Sequence, residues 1–227
     1  MALTLPHHAT NSAVAAILAA GALLAAACAA APPISANIED ELICTPDDLR
    51  GTYFMQMAGE FSIRNLADLA DDAASREAEL DSSGLRGGRF NYWKQDVGKP
   101  PFETPVELVC QVMEFASDAQ AAQFVRDLEV DPGELATTAV AWLPAGGRTA
   151  RELPVSDTAY VPPGTRVFRL EGTSPGANTI LYAAIAPGGR FVQGIYMGNR
   201  DGTATPGETT AVLARLAARS NPSAFAR

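Results

Sequence analysis

VELVCQVMEFASDAQAAQFVRDL, residues 106–128, reads as one strand delivered directly into one helix. Val106, Leu108, Cys110 and Val112 fall on one side of a two-residue period, with Glu107 and Gln111 on the other, the pattern of a half-buried strand. Ser117 then stops it. Ser117 and Gln120 have the spacing of a capping box, in which the hydroxyl takes the amide of the third helical residue and the glutamine reaches back. The apolar positions that follow, Ala121, Phe124, Val125 and Leu128, recur at i, i+3, i+4 and i+7 and make one stripe facing a sheet. The stretch predicts a core unit of an α+β domain and carries no catalytic group of its own.

Composition sets the scale and excludes several partners. At 227 residues, 47% hydrophobic and 19% charged, the chain is long enough for one well-buried core and short for two full domains. The net charge is -9, and the first charged side chain is Glu39. That sign repels phosphate backbones and anionic lipid surfaces, and the arginines form no basic cluster, so nucleic acid is not an expected partner.

Ala13 to Ala31, AVAAILAAGALLAAACAAA, is an uncharged run with small residues at its end, the apolar core and cleavage region of an export signal. The usual Lys or Arg at the start of such a signal is missing. A membrane anchor competes on length, but alanine gains little from hydrocarbon compared with leucine. Leu24-Ala25-Ala26-Ala27-Cys28 resembles the bacterial lipobox, whose cysteine is lipidated and becomes the first residue of the mature protein. The motif prefers leucine where this chain has Ala25, and loss of Cys28 with an ordinary signal is the competing outcome. The expected division is a signal over residues 1–30, a proline-stiffened tether over 31–43, a single α+β domain over 44–220 and a tail over 221–227. The membrane is then met only through a lipid anchor or an uncleaved amino-terminal segment.

With Cys28 lipidated or removed, Cys44 and Cys110 remain. In an exported chain we expect them to pair, tying the start of the fold to the buried face of the Val106 strand; two buried free thiols are the alternative.

Asn65 is positioned to cap a helix with Leu66, Leu69, Ala70, Ala73 and Leu80 inside and Asp68, Asp71 and Asp72 near its start. Residues 89–96 alternate as a strand. Between 130 and 165 the pattern is irregular; Leu135 to Leu143 reads as a strand or a short helix, fitting neither period cleanly, and order returns at 167–171. Thr179 to Ala186 and Phe191 to Met197 flank Pro187-Gly188-Gly189-Arg190, a hairpin. Pairing Gly188 with Gly189 puts Ile180, Tyr182, Ile195 and Met197 on one face and Leu181, Ile185, Val192 and Tyr196 on the other. Both faces are apolar, so the sheet is expected to be covered on both sides. Gly194, set opposite Ala183 in that register, leaves room for a helix or a ligand to approach. Thr205-Pro206-Gly207-Glu208 opens a last helix by capping-box logic, with Leu213, Leu216 and Ala217 facing in. Short connections make the sheet largely antiparallel.

The chemistry that remains after export is narrow. His7 and His8 precede the apolar run and leave with it, which removes Ser-His-Asp and Cys-His catalysis and histidine-ligated zinc. No metal site and no cofactor are expected. Acid pairs such as Glu103 with Glu107, or Glu152 with Asp157, offer glycosidase-like chemistry in principle, as any acidic protein does. Asn199-Arg200-Asp201-Gly202 lacks the later ligands of a calcium loop, with Ala204 and Thr210 at positions that need glycine and glutamate. Trp93, Trp142, Tyr160, Tyr182 and Tyr196 are the aromatic candidates for a cleft, and such residues more often fill cores.

VMEFASDAQAAQF, residues 112–124, resembles a strand followed by an F-x-S-x-x-x-A-x-x-F signature found in secreted bacterial lipoproteins. Over Asp47 to Ser220 the order of elements is similar to the extracellular sensor domains of actinobacterial serine/threonine kinases and to PsbP-like proteins. That resemblance implies an α/β sandwich around an antiparallel sheet. The kinase sensor domains use two disulfides, whereas this chain can form one, and no ligand or catalytic residue carries over. The leading expectation is an exported, lipid-anchored, non-enzymatic protein that binds a small ligand or an envelope partner. Its rivals are a histidine-free carboxylate-dependent hydrolase and a structural module of the envelope.

Overall fold

The computed structural model describes residues 40–68, 70, 72–96, 105–130, 149–155, 161–174, 177–199 and 203–220. Strands β1 (Tyr53–Phe61), β2 (Leu85–Gln95) and β3 (Glu107–Phe115) form one meander, and β4 (Thr149–Leu153), β5 (Arg166–Ser174), β6 (Ala177–Gly188) and β7 (Phe191–Asn199) form a second. The two join where β7 pairs antiparallel with β3, Cys110 opposite Ile195. The result is a seven-stranded sheet in the order β1-β2-β3-β7-β6-β5-β4. With α1 (Ile63–Ala67), α2 (Ala73–Ser82), α3 (Asp118–Asp127) and α4 (Pro206–Ser220) packed on it, the domain is α+β, as the sequence predicts.

The helices lie on both faces. Leu66, Leu80, Ala121 and Val125 from α1 to α3 meet Val109, Met113, Leu181 and Tyr196. On the opposite face Val212, Leu213 and Leu216 of α4, with Ile43, Cys44 and Leu49, meet Leu108, Val112 and Ile195. Double coverage changes the reading of β3. Beyond the expected apolar side, Val109, Met113 and Phe115 fill the second face and even Gln111 is buried, so the strand is buried on both sides, not half-buried. Leu213 and Leu216 are fully buried, and truncating either to alanine costs about 2–5 kcal/mol.

Local signals set the boundaries. Ser117 accepts the Gln120 amide at 3.3 Å and donates to its side chain at 3.0 Å. At α4 the Thr205 hydroxyl accepts the Glu208 amide at 3.2 Å, while Glu208 Oε2 accepts the Thr205 amide at 3.1 Å. The helix expected after Asn65 is two helices. Ser62 caps α1, and Asn65 sits three residues inside it, its Oδ1 accepting the Ser62 amide at 2.9 Å. Asp72 caps α2 by accepting the Ser75 amide at 3.1 Å. Aspartate favours such capping turns over a helix interior, which is why the Asp-rich stretch divides the helix.

The β6–β7 hairpin turns one residue later than expected, with Gly188 opposite Phe191 and Gly189 in the left-handed region at φ 61°. Ile185, not Ala183, therefore faces Gly194. A shift of two in the partner preserves the alternation, so the two apolar faces are those the sequence predicts. The space beside Gly194 is filled from its own strand: a Cβ there would lie 2.9 Å from the Tyr196 ring. β1 and β4, the two edge strands, were not anticipated from the sequence. Among the described residues no helix is long and apolar enough to cross a membrane.

Candidate functional site

A cleft of about 320 Å³ opens between α4 and the end of the sheet beneath it. Its floor is apolar, with Leu108 of β3, Met197 of β7 and Val212 of α4. One wall is the segment Leu49, Arg50 and Tyr53; the other is the face of α4 that carries Glu208, Ala211 and Arg215. Alternation on β3 and β7 delivers Leu108 and Met197 to this side of the sheet, and helical spacing brings Glu208, Ala211, Val212 and Arg215 to one stripe.

The first wall is held by the carboxylate of Asp48, a buried residue. Asp48 Oδ2 accepts the Thr45 amide at 2.8 Å and Arg219 Nη2 at 2.7 Å. Arg219 donates further to the carbonyls of Glu41 at 2.9 Å and Ile43 at 2.6 Å. Beside them Cys44 and Cys110 form a disulfide, Cα atoms 5.8 Å apart, which bonds this segment to β3 as the sequence predicts. Asn91 Nδ2 adds a hydrogen bond to the Cys44 carbonyl at 3.2 Å. Arg50 is thus presented from a fixed segment.

The polar groups of the cleft divide by sign along its length. Arg215 Nε donates to the Asp48 carbonyl at 2.6 Å, and its terminal nitrogens have no hydrogen-bond partner among the described residues. Burial, then repulsion from the nearby Arg50 guanidinium, lowers the Arg215 pKa, with the Asp48 charge opposing. Two cations share that end. At the other, Glu208 Oε2 is engaged in the helix cap and Oε1 has no hydrogen-bond partner among the described residues. Tyr53 stands near it, its phenol raised above the ordinary 10.0 first by burial and then by the Glu208 charge, so it stays protonated.

None of the site candidates singled out from sequence that are described lines this cleft. Cys28, Glu103, Trp142, Asp157 and Tyr160 fall outside the described residues. Glu107 opens β3 and faces Lys94 at 3.6 Å. Glu152 is bound in two places by Arg166, at 2.9 and 2.8 Å, which lowers its pKa chiefly through those hydrogen bonds. Trp93, Tyr182 and Tyr196 are core. Asn199 Oδ1 accepts the Thr203 amide at 3.0 Å, and residues 200–202 between them lie outside the described residues. Among the described residues no group of three or more metal-ligating side chains comes together. Nothing in the sequence marks Arg50, Tyr53 and Arg215 as site residues, and Thr205 and Glu208 carry only the signal of a helix cap.

No protein-family model matches the chain, and no curated protein matches it. Among solved structures, the extracellular domain of PknH from Mycobacterium tuberculosis is similar at 10% sequence identity, over 82% of this chain and 97% of that one, with a TM-score of 0.48.

Proposed function

We propose that this chain is an exported binding module that holds a small ligand in the cleft along α4. The observation that carries the reading is the cleft itself: an apolar floor with, at both ends, charged atoms that bond no other described residue, set on a wall pinned by a disulfide and a buried ion pair. Sites for small ligands have this composition, mostly apolar with a few placed polar groups, and a pre-set wall reduces the ordering cost of binding. The disulfide and the signal-like run of residues 13–31 support an oxidising compartment outside the cytoplasm. Cys28 supplies the lipid anchor in this reading. A mature chain beginning at Cys28 with added acyl mass, found with membranes of the native host, is the expected product; a chain beginning later and free in the medium removes the anchor.

The hydrolase reading needs two carboxylates facing each other across a cleft. Among the described residues this cleft presents one, Glu208, which already serves the helix cap. The structural-module reading has an observation in its favour: Phe54, Met55 and Met57 are exposed on the edge strand β1. Apolar residues on a strand that ends the sheet among the described residues suit a protein partner that adds a strand.

The test of the cleft is a thermal-shift screen of small anions, amino acids, peptides and sugars against the wild type and Ala211→Trp, whose indole fills the cleft. A ligand that raises Tm in the wild type and not in the variant supports the reading; ligands that stabilise both equally contradict it.

A further inference from the structure

The distribution of charge in the cleft restricts what it can hold. A simple anion drawn to Arg50 and Arg215 leaves Glu208 Oε1 without a partner among the described residues, and a simple cation at Glu208 leaves the Arg50 guanidinium and the terminal nitrogens of Arg215 unanswered among them. A ligand carrying both charges answers both ends. The required spacing follows from helix geometry: Glu208 and Arg215 stand two turns apart on one face of α4, about 10 Å at 1.5 Å per residue. An extended peptide spans at most about 3.3–3.6 Å per residue, so three residues cover that distance. Between the ends lie Leu108, Met197 and Val212, which favour small aliphatic side chains. Arg50, Gly207 and Glu208 are exposed at the rim, so the peptide groups of such a ligand keep contact with water.

We propose that the cleft takes a short peptide with both termini free, about three small residues long, its carboxylate held by Arg50 and Arg215 and its ammonium by Glu208 beside Tyr53. The proposal rests on the cleft being the binding site and adds the class of ligand. Arginine suits the carboxylate because its planar fork makes paired hydrogen bonds. Glu208 Oε1 suits the ammonium because its partner oxygen is fixed by Thr205, so the carboxylate is already oriented.

The test is calorimetric titration of the full chain with tri-alanine, N-acetyl-tri-alanine and tri-alanine amide. Two variants preserve the fold. Glu208→Gln keeps the capping box, which accepts either residue, and Arg50→Gln alters an exposed side chain that makes no hydrogen bond to another described residue. Acetylation is expected to weaken binding about tenfold, the scale of one charge-assisted hydrogen bond. Glu208→Gln weakens tri-alanine by a similar factor and leaves the acetylated peptide unchanged. Amidation and Arg50→Gln behave as the corresponding pair at the other end.

Equal affinity for free and blocked peptides overturns the dipolar ligand. So does the absence of tri-alanine binding up to about 10 mM, well beyond the millimolar range in which a weak specific ligand registers. Either result leaves the cleft itself standing if another ligand is lost on Ala211→Trp. Tri-alanine that binds Ala211→Trp as well as the wild type overturns both the ligand class and the cleft.

Discussion

Asp48 and Arg219, 171 positions apart in the chain, meet at 2.7 Å and lock the amino-terminal segment to the last turn of α4. The carboxylate is buried and the guanidinium partly so, with side-chain exposures of 4% and 29%. The pair holds the wall from which Arg50 and Tyr53 reach the cleft, so it joins the stability of the domain to the shape of its site. Removing Arg219 leaves a buried carboxylate without its cation. Arg219→Ala is expected to lower unfolding free energy by about 3 kcal/mol, read from the urea midpoint. A change under about 0.5 kcal/mol, the scale of an ordinary surface substitution, contradicts this role.

The disulfide acts on the same segment by a different route. Cys44 and Cys110 are 66 positions apart, and closing a loop of that length contributes about 4 kcal/mol by constraining the unfolded chain. Denaturation with and without reductant measures it. The reduced chain is expected to unfold at markedly lower denaturant with the helices and sheet intact beforehand; coincident transitions contradict the estimate.

Much of this fold is written locally. Residues 106–128 carry alternation, a cap and a helical stripe in sequence, and β3 and α3 follow them closely. The apolar residues of β6 and β7 announce their double coverage because alternation survives a two-residue error in pairing. β1 carries no comparable signal. As an edge strand it exposes Phe54, Met55 and Met57, and a register irregularity between Met55 and Met57 breaks its period. The cleft was illegible for a different reason: Arg50, Leu108, Met197 and Arg215 are brought together only by the pairing of the two meanders and the return of α4. Read along the helix, Arg215 is an ordinary solvated cation.

Arg166 joins α3 to the far edge of the sheet. Its Nη1 donates to the carbonyls of Val125, Arg126 and Leu128 at 3.1, 3.1 and 2.6 Å, a cation at the carbonyl end of a helix, while Nε and Nη2 hold Glu152. Because these bonds depress the Glu152 pKa below its ordinary 4.5, the folded state gains from the ionised carboxylate above that pH and loses the gain as pH falls through the depressed value. Glu152→Gln is expected to flatten the acid limb of the stability curve below about pH 4.5. The change is small, since the Glu152 side chain is 42% exposed and water screens the pair. An acid limb identical to the wild type's contradicts the linkage.

Tyr53 gives the opposite limb. Its phenol is raised in the folded protein, so its contribution is complete below the unfolded value of 10.0 and disappears as pH rises through the folded value. Tyr53→Phe is expected to reduce the loss of stability above pH 10, measured by thermal melts in alkaline buffers. An unchanged alkaline slope shows that the phenol is not held neutral beside Glu208.

Methyl NMR of the full chain, titrated with the strongest ligand from the thermal-shift screen, locates the site directly. Shifts are expected to concentrate at Leu49, Leu108, Met197, Ala211 and Val212, the methyl groups around the cleft. Shifts concentrated instead at Met55 and Met57, with the cleft methyls unmoved, overturn that location and place binding on the β1 edge of the sheet.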